Sequence, residues 1–164
     1  FIMDFAIHMI DLVSYLFGDV KSVFAFNKGD DAWAVSLEYA CGAVGSLNLT
    51  DGRSFSVPTE EVELTVRGGN FMTIHNSSSY RITENEQPAE WREPPTFVSG
   101  GDSGNDTGHL AELVDFFAAL REGRTTRSNI HESYKSMVLY EGILESARTR
   151  QPVCLHYEQV SPGA

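Results

Sequence analysis

Asp4, His8, Asp11 and Tyr15 are the residues whose types and spacing could do chemistry. They recur at intervals of three and four, so on a helix of about 3.6 residues per turn they line one narrow stripe. A carboxylate one turn from an imidazole can hold one ring nitrogen, fix its tautomer and raise the basicity of the other. Such a His8 could take a proton from a hydroxyl near neutral pH. The same groups have a second possible use. Asp4, His8 and Asp11 could simply pair with one another or satisfy a neighbouring strand, as buried polar groups usually do.

The element that must position them runs from Asp4 to Gly18. Phe5, Ile7, Met9, Ile10, Leu12, Val13, Leu16 and Phe17 surround the polar stripe, and Gly18 closes the helix. A solvated helix would carry Lys and Glu on one face. This pattern predicts a mostly buried helix whose polar stripe turns toward a ligand or another polar element.

Beyond Gly18 the period changes to two. Val20 to Asn27, Asp31 to Tyr39, Ala43 to Thr50, Glu61 to Arg67, Phe71 to His75 and Tyr80 to Glu84 read as strands. Trp33, Val35, Leu37 and Tyr39 fall on one side, and Ala34, Ser36 and Glu38 on the other. Cys41-Gly42 and Gly68-Gly69-Asn70 supply turns. Tight turns and one wet face mean antiparallel pairing. Residues 85–107, rich in Pro, Gly, Glu, Asp and Ser, read as one long loop. A helix follows from Gly108 to Arg121, with Leu110, Leu113, Val114 and Phe117 on one face and Gly123 as its stop. Asn129 opens another, with Glu132 placed to reach back. It continues to about Arg148 and carries a broad apolar surface of Tyr134, Met137, Val138, Leu139, Ile143 and Leu144, so burial is expected. Val153 to Tyr157 closes the domain as a strand, and residues 158–164 read as a loose tail. The order predicts an α+β fold: an open, mainly antiparallel sheet with helices packed on one face.

The 164 residues suffice for one domain, and their net charge is −11. That charge argues against nucleic acid and anionic membrane as partners. Cys41 and Cys154 are too few for a disulfide framework, and His75, His131 and His156 are scattered without metal-ligand spacing, so no metal is expected. No apolar run reaches roughly 18 residues, and no signal-peptide pattern opens the chain. A cytoplasmic protein with reduced thiols is expected. The chain starts inside a helix and without an initiator Met, as one domain cut from a longer polypeptide would.

Asp4-x-x-x-His8-x-x-Asp11 followed by Tyr15-Leu16-Phe17-Gly18-Asp19-Val20-Lys21-Ser22-Val23 resembles the opening of the second domain of the Gfo/Idh/MocA family. Cys41-Gly42-Ala43-Val44-Gly45-Ser46-Leu47 is similar to that family's central hairpin. The segment from Glu112 to Arg124 resembles the helix before its closing unit, and Leu139 to Ala147 with Pro152-Val153 resembles the closing unit itself. The resemblance spans residues 1–157 in the right order. It implies the substrate-binding and oligomerisation domain of a two-domain oxidoreductase that acts on a sugar, polyol or related carbonyl compound. NAD or NADP would be bound mainly by an N-terminal Rossmann domain, which also supplies a Lys. Carried over by position, His8 is the acid/base, and Asp4 orients it or grips a substrate hydroxyl. Asp11 supports the helix or His8. The resemblance leaves open an NAD-using glycosidase or dehydratase, a sugar-sensing regulator, and a dimerisation domain whose stripe is only structural.

This chain has no Gly-x-Gly-x-x-Gly after a strand, and Gly100-Gly101-Asp102-Ser103-Gly104 lies in an acidic loop. Alone it is expected to be inactive. Arg53, after a strand end, could bind a substrate group or be a solvated turn residue. His109 at a helix start could face the same cleft or the surface. Trp33 reads as core, whereas Trp91 could stack on a sugar ring or anchor its loop. Ser36, Glu38, Glu61, Glu63 and Arg67 form a polar sheet face, either wet or packed against another copy; a homo-oligomer through the sheet is the expectation.

Overall fold

The computed structural model describes residues 1–51, 60–76, 79–92 and 108–158. Its elements are a π-helical turn (Ile2–Ala6) running into α1 (Ile7–Phe17), then β1 (Val20–Lys28), β2 (Ala32–Tyr39), β3 (Val44–Thr50), β4 (Glu61–Val66), β5 (Asn70–His75), β6 (Ser79–Glu84), β7 (Gln87–Arg92), α2 (His109–Glu122), α3 (Ile130–Thr149) and β8 (Val153–Cys154). The α+β class holds: every strand pairing is antiparallel, in two open four-stranded sheets. The chain divides into two compact units, Phe1–Arg53 with Ser128–Ala164, and Ser54–Arg127.

The first unit holds the sheet β3-β2-β1-β8, with α3 across β1 and α1 against α3. Alternation sets its faces. Val23, Ala25, Trp33, Val35, Leu37, Tyr39, Leu47 and Leu49 are buried, and Ile10, Leu139 and Ile143 close over them. α3 comes close because Gly142 has no side chain. A Cβ there would lie 2.3 Å from Leu155 Cδ2 and 3.3 Å from Val23 Cγ1. Beyond the short β8, the Ala25 N–H donates to Ser146 Oγ at 3.0 Å, and the Ser146 hydroxyl donates to the Gln151 carbonyl at 2.7 Å. One buried serine thus satisfies the strand edge and the turn after α3. Asn129 caps α3 as expected, accepting from the His131 and Glu132 N–H groups. The Glu132 carboxylate lies 3.7 Å from Lys135 Nζ.

The second unit holds the sheet β4-β5-β6-β7 and α2. Here residues 87–92 correct the expectation of an unbroken loop: they form β7, paired to β6 across a register shift at Ile82/Thr83. Gln87-Pro88-Ala89-Glu90-Trp91-Arg92 does not alternate and contains a proline, so it gave no strand signal. It is an outermost strand, where a residue without an N–H is tolerated. Gly123 ends α2 at φ 65°, as expected, but the apolar face of the helix is open: Leu110, Leu113, Val114 and Phe117 are all exposed. The closing strand is also shorter than expected, ending at Cys154 rather than Tyr157.

Candidate active site

α1 is built as read at its end and differently at its start. Gly18 at φ 79° donates its N–H to the Ser14 carbonyl at 2.8 Å. Ile2, Ala6 and Ile10 form the buried stripe, so the helix packs on one side only. Met3, Phe5, Tyr15 and Leu16 are exposed, Phe5 by 57% and Tyr15 by 74%, which corrects the expectation of a mostly buried helix. An apolar count cannot say which face is covered.

Asp4 and His8 both lie on the exposed side. They are not sealed beneath aliphatic neighbours, yet they are not joined either. Among the described residues no hydrogen bond or ion pair links them. The chain enters this helix through a π-helical turn. Asp4 sits within it and His8 just beyond it, and the Ala6 N–H reaches back five residues to the Phe1 carbonyl at 3.4 Å. The α-helical period therefore does not run unbroken from Asp4 to His8. Such turns are rare and recur at functional sites.

Asp11 has left the stripe for a structural partner. Its carboxylate accepts a hydrogen bond from the hydroxyl of Ser136 on α3, and that hydroxyl also lies 3.3 Å from the Glu132 carbonyl. Ser136 is 4% exposed. This matches the reading of Asp11 as support for the helix. Close by, Lys135 Nζ pairs with Asp19 at 3.2 Å, which holds the lysine above its usual range. Ser136, Lys135 and Ser146 were absent from the sequence reading. The available signal was small polar residues at 136 and 146 on the apolar stripe that carries Leu139 and Ile143.

The remaining candidates fall elsewhere. Arg53 and the Gly100–Gly104 segment lie outside the described residues. His109 is exposed at the start of α2. Trp33 is core, its Nε1–H donating to the Asp30 carbonyl at 3.1 Å. Trp91 stands exposed on β7, not in a loop. The polar residues read as one sheet face belong to two sheets. Ser36 and Glu38 lie on β2, Glu61 and Glu63 on β4, and Arg67 in the turn after β4. Alternation shows that a residue faces outward but not which sheet it belongs to. Glu38 accepts from Lys21 at 2.8 Å and Ser22 at 2.9 Å, which holds its carboxyl below the usual range.

The strand pairings among the described residues differ from those around a Rossmann dinucleotide site. Such sites cradle a phosphate between a parallel strand and the helix after it, and here every strand pairing is antiparallel. Among the described residues no helix is long and apolar enough to cross a membrane.

Comparison with solved structures finds the same fold in several oxidoreductases. A levoglucosan dehydrogenase solved with NADH and levoglucosan superposes with a TM-score of 0.79 at 19% identity, covering 93% of this chain and 49% of that one. An oxidoreductase from Agrobacterium radiobacter, solved with NAD+, L-tartaric acid and magnesium, gives 0.78 at 17% identity, covering 94% and 48%. The WlbA dehydrogenase from Bordetella pertussis, solved with NADH and UDP-GlcNAcA, gives 0.69 at 21% identity, covering 96% and 46%. The chain spans about half the length of each. No curated protein sequence matches it. Residues 1–155 match the family model for the C-terminal alpha/beta domain of the Gfo/Idh/MocA oxidoreductases. The ordered motifs, the antiparallel α+β architecture and that match agree: this chain belongs to the Gfo/Idh/MocA oxidoreductase family, as its C-terminal alpha/beta domain.

Proposed function

We propose that this chain is the substrate-binding half of an NAD(P)-dependent oxidoreductase acting on a sugar, polyol or related carbonyl compound. The observation that carries the reading is that Asp4, in the π-helical turn, and His8, early in α1, both stand exposed and, among the described residues, neither side chain is taken up by a hydrogen bond or ion pair. His8 takes the proton of the hydroxyl being oxidised. Asp4, separate from His8, accepts a hydrogen bond from a neighbouring hydroxyl and fixes the ring or chain of the substrate. Met3, Phe5 and Tyr15 are exposed apolar residues of the same helical segment, available for contact with a substrate in this reading. Family members solved with levoglucosan and with UDP-GlcNAcA support a sugar-like substrate.

NAD or NADP belongs in this proposal to an N-terminal Rossmann domain of a longer polypeptide, as membership of the family implies and as its NAD(H)-bound structural neighbours support. Residues 1–157 are then the substrate and assembly domain, and this domain alone is inactive. Calorimetry of the chain with NADH should show no binding; micromolar affinity would overturn that division of labour. His8→Ala in the polypeptide that carries this chain should lower kcat by about 10²–10⁴-fold with the fold retained. Unchanged turnover would leave α1 a structural helix.

The proposal includes a homo-oligomer formed through the outer face of β1, β2 and β3. Phe26 and Val44 are exposed there, beside Ser36 and Glu38. Sedimentation should give a species larger than the monomer, reverted by Phe26→Asp; a monomer at high concentration would end this part of the reading. A cytoplasmic location is favoured by two free, exposed thiols, Cys41 and Cys154.

A further inference from the structure

α1 is held against α3 mainly by apolar contact through Ile10, Leu139 and Ile143. Apolar contact is non-directional. It fixes how near two helices lie more firmly than how each is turned about its own axis. The Asp11–Ser136 hydrogen bond joins the same two helices and is directional, with a buried donor and a charged acceptor. Asp11 lies three residues after His8, on the next turn of the same helix. Whatever fixes the rotation of α1 at Asp11 also fixes the direction in which the His8 side chain leaves the helix.

We propose that Ser136 and Asp11 are positioning residues for His8: their hydrogen bond sets the rotation of α1 and thereby aims the imidazole. The proposal rests on the reading of His8 as acid/base for its consequence in turnover, but not for its geometry. It assigns a role in the site to Ser136, a residue 128 positions from His8 in the sequence and on another helix.

Both partners can be removed without leaving a buried group stranded. In Asp11→Ala the Ser136 hydroxyl keeps the Glu132 carbonyl, and in Ser136→Ala the Asp11 carboxylate is open to water. The variants should therefore fold. The test is NMR of ring-labelled histidine in the polypeptide that carries this chain, together with steady-state kinetics. Ser136→Ala leaves every charge in place. It should displace or broaden the His8 ring cross-peak and lower kcat by roughly tenfold to a hundredfold with KM little changed. Ser136→Thr, which keeps the hydroxyl, should restore both. Asp11→Asn keeps an acceptor while removing the charge, so Asp11→Ala must displace the peak further than Asp11→Asn does. A His8 cross-peak that stays in place in Ser136→Ala while the melting temperature falls would overturn the proposal and leave a merely structural bond. A peak that moves while His8→Ala retains turnover would support the positioning and refute the catalytic reading.

Discussion

α2 and α3 read alike in sequence, each with an apolar face and a clear stop, yet they end in opposite circumstances. α3 buries Ser136, Leu139, Gly142, Ile143, Ser146 and Ala147. α2 buries Ala119 alone and leaves Phe117 at 56% and Leu120 at 65% exposure. The contrast lies in side-chain size more than in hydrophobicity. α3 places Gly, Ser and Ala among its large residues, so its backbone approaches the sheet and the Ser146 hydroxyl reaches a strand N–H there. α2 places Leu, Val and Phe at successive contact positions. A face of that kind rests on whatever is large and apolar enough to meet it. Apolar periodicity reports the capacity to pack, while small residues report a partner already close.

The largest expected effect on this contrast is from Ile143→Ala. It should cost about 2–5 kcal/mol by urea unfolding, as a truncation in a closed core does. Phe117→Ala should cost under about 1 kcal/mol, since surface substitutions seldom exceed that. Equal costs would break the comparison and show α2 to be covered in solution. Next, Gly142→Val should cost about 1–3 kcal/mol by overpacking against Leu155 and Val23. Ser146→Ala should cost about 1–3 kcal/mol, because the Ala25 N–H and the Gln151 carbonyl both lose their buried partner. The urea midpoint reads both. The smallest effect lies at the end of α2. The Arg127 N–H at 2.9 Å and the Arg124 guanidinium at 2.8 Å hold the Asp115 carboxyl below the usual range. The stabilisation from a depressed carboxyl is complete above the ordinary aspartate value of about 3.9 and is lost as pH falls through the lower folded value. An acid titration followed by circular dichroism should show this loss only below that point, and Asp115→Asn should abolish it.

Much of the first unit was legible because single residues carry local physics. The alternation of Trp33, Val35, Leu37 and Tyr39 placed β2 and its buried face. Gly18 and Asn129 marked helix ends through a left-handed closure and a side-chain cap. What was not legible depends on distance or on backbone register. β7 lacks alternation because none of its residues is buried on either face. Asp11 finds Ser136 across 125 residues, and no spacing rule reaches that far. At the site, the sequence reading set Asp4 against His8, whereas among the described residues no hydrogen bond or ion pair links them: a four-residue spacing places two side chains on one side of a helix without making them bond. The exposure of both side chains was likewise beyond a composition count.

The turn at Ile2–Ala6 bears on how the Asp-x-x-x-His signature should be searched for in distant homologues. Its three-residue gap is meaningful only together with the widened loop that contains its first member. A homologue that enters this helix without the extra peptide unit would set the two side chains at a different azimuth under the same letters. A pattern match alone would then misplace the residue proposed here as acid/base.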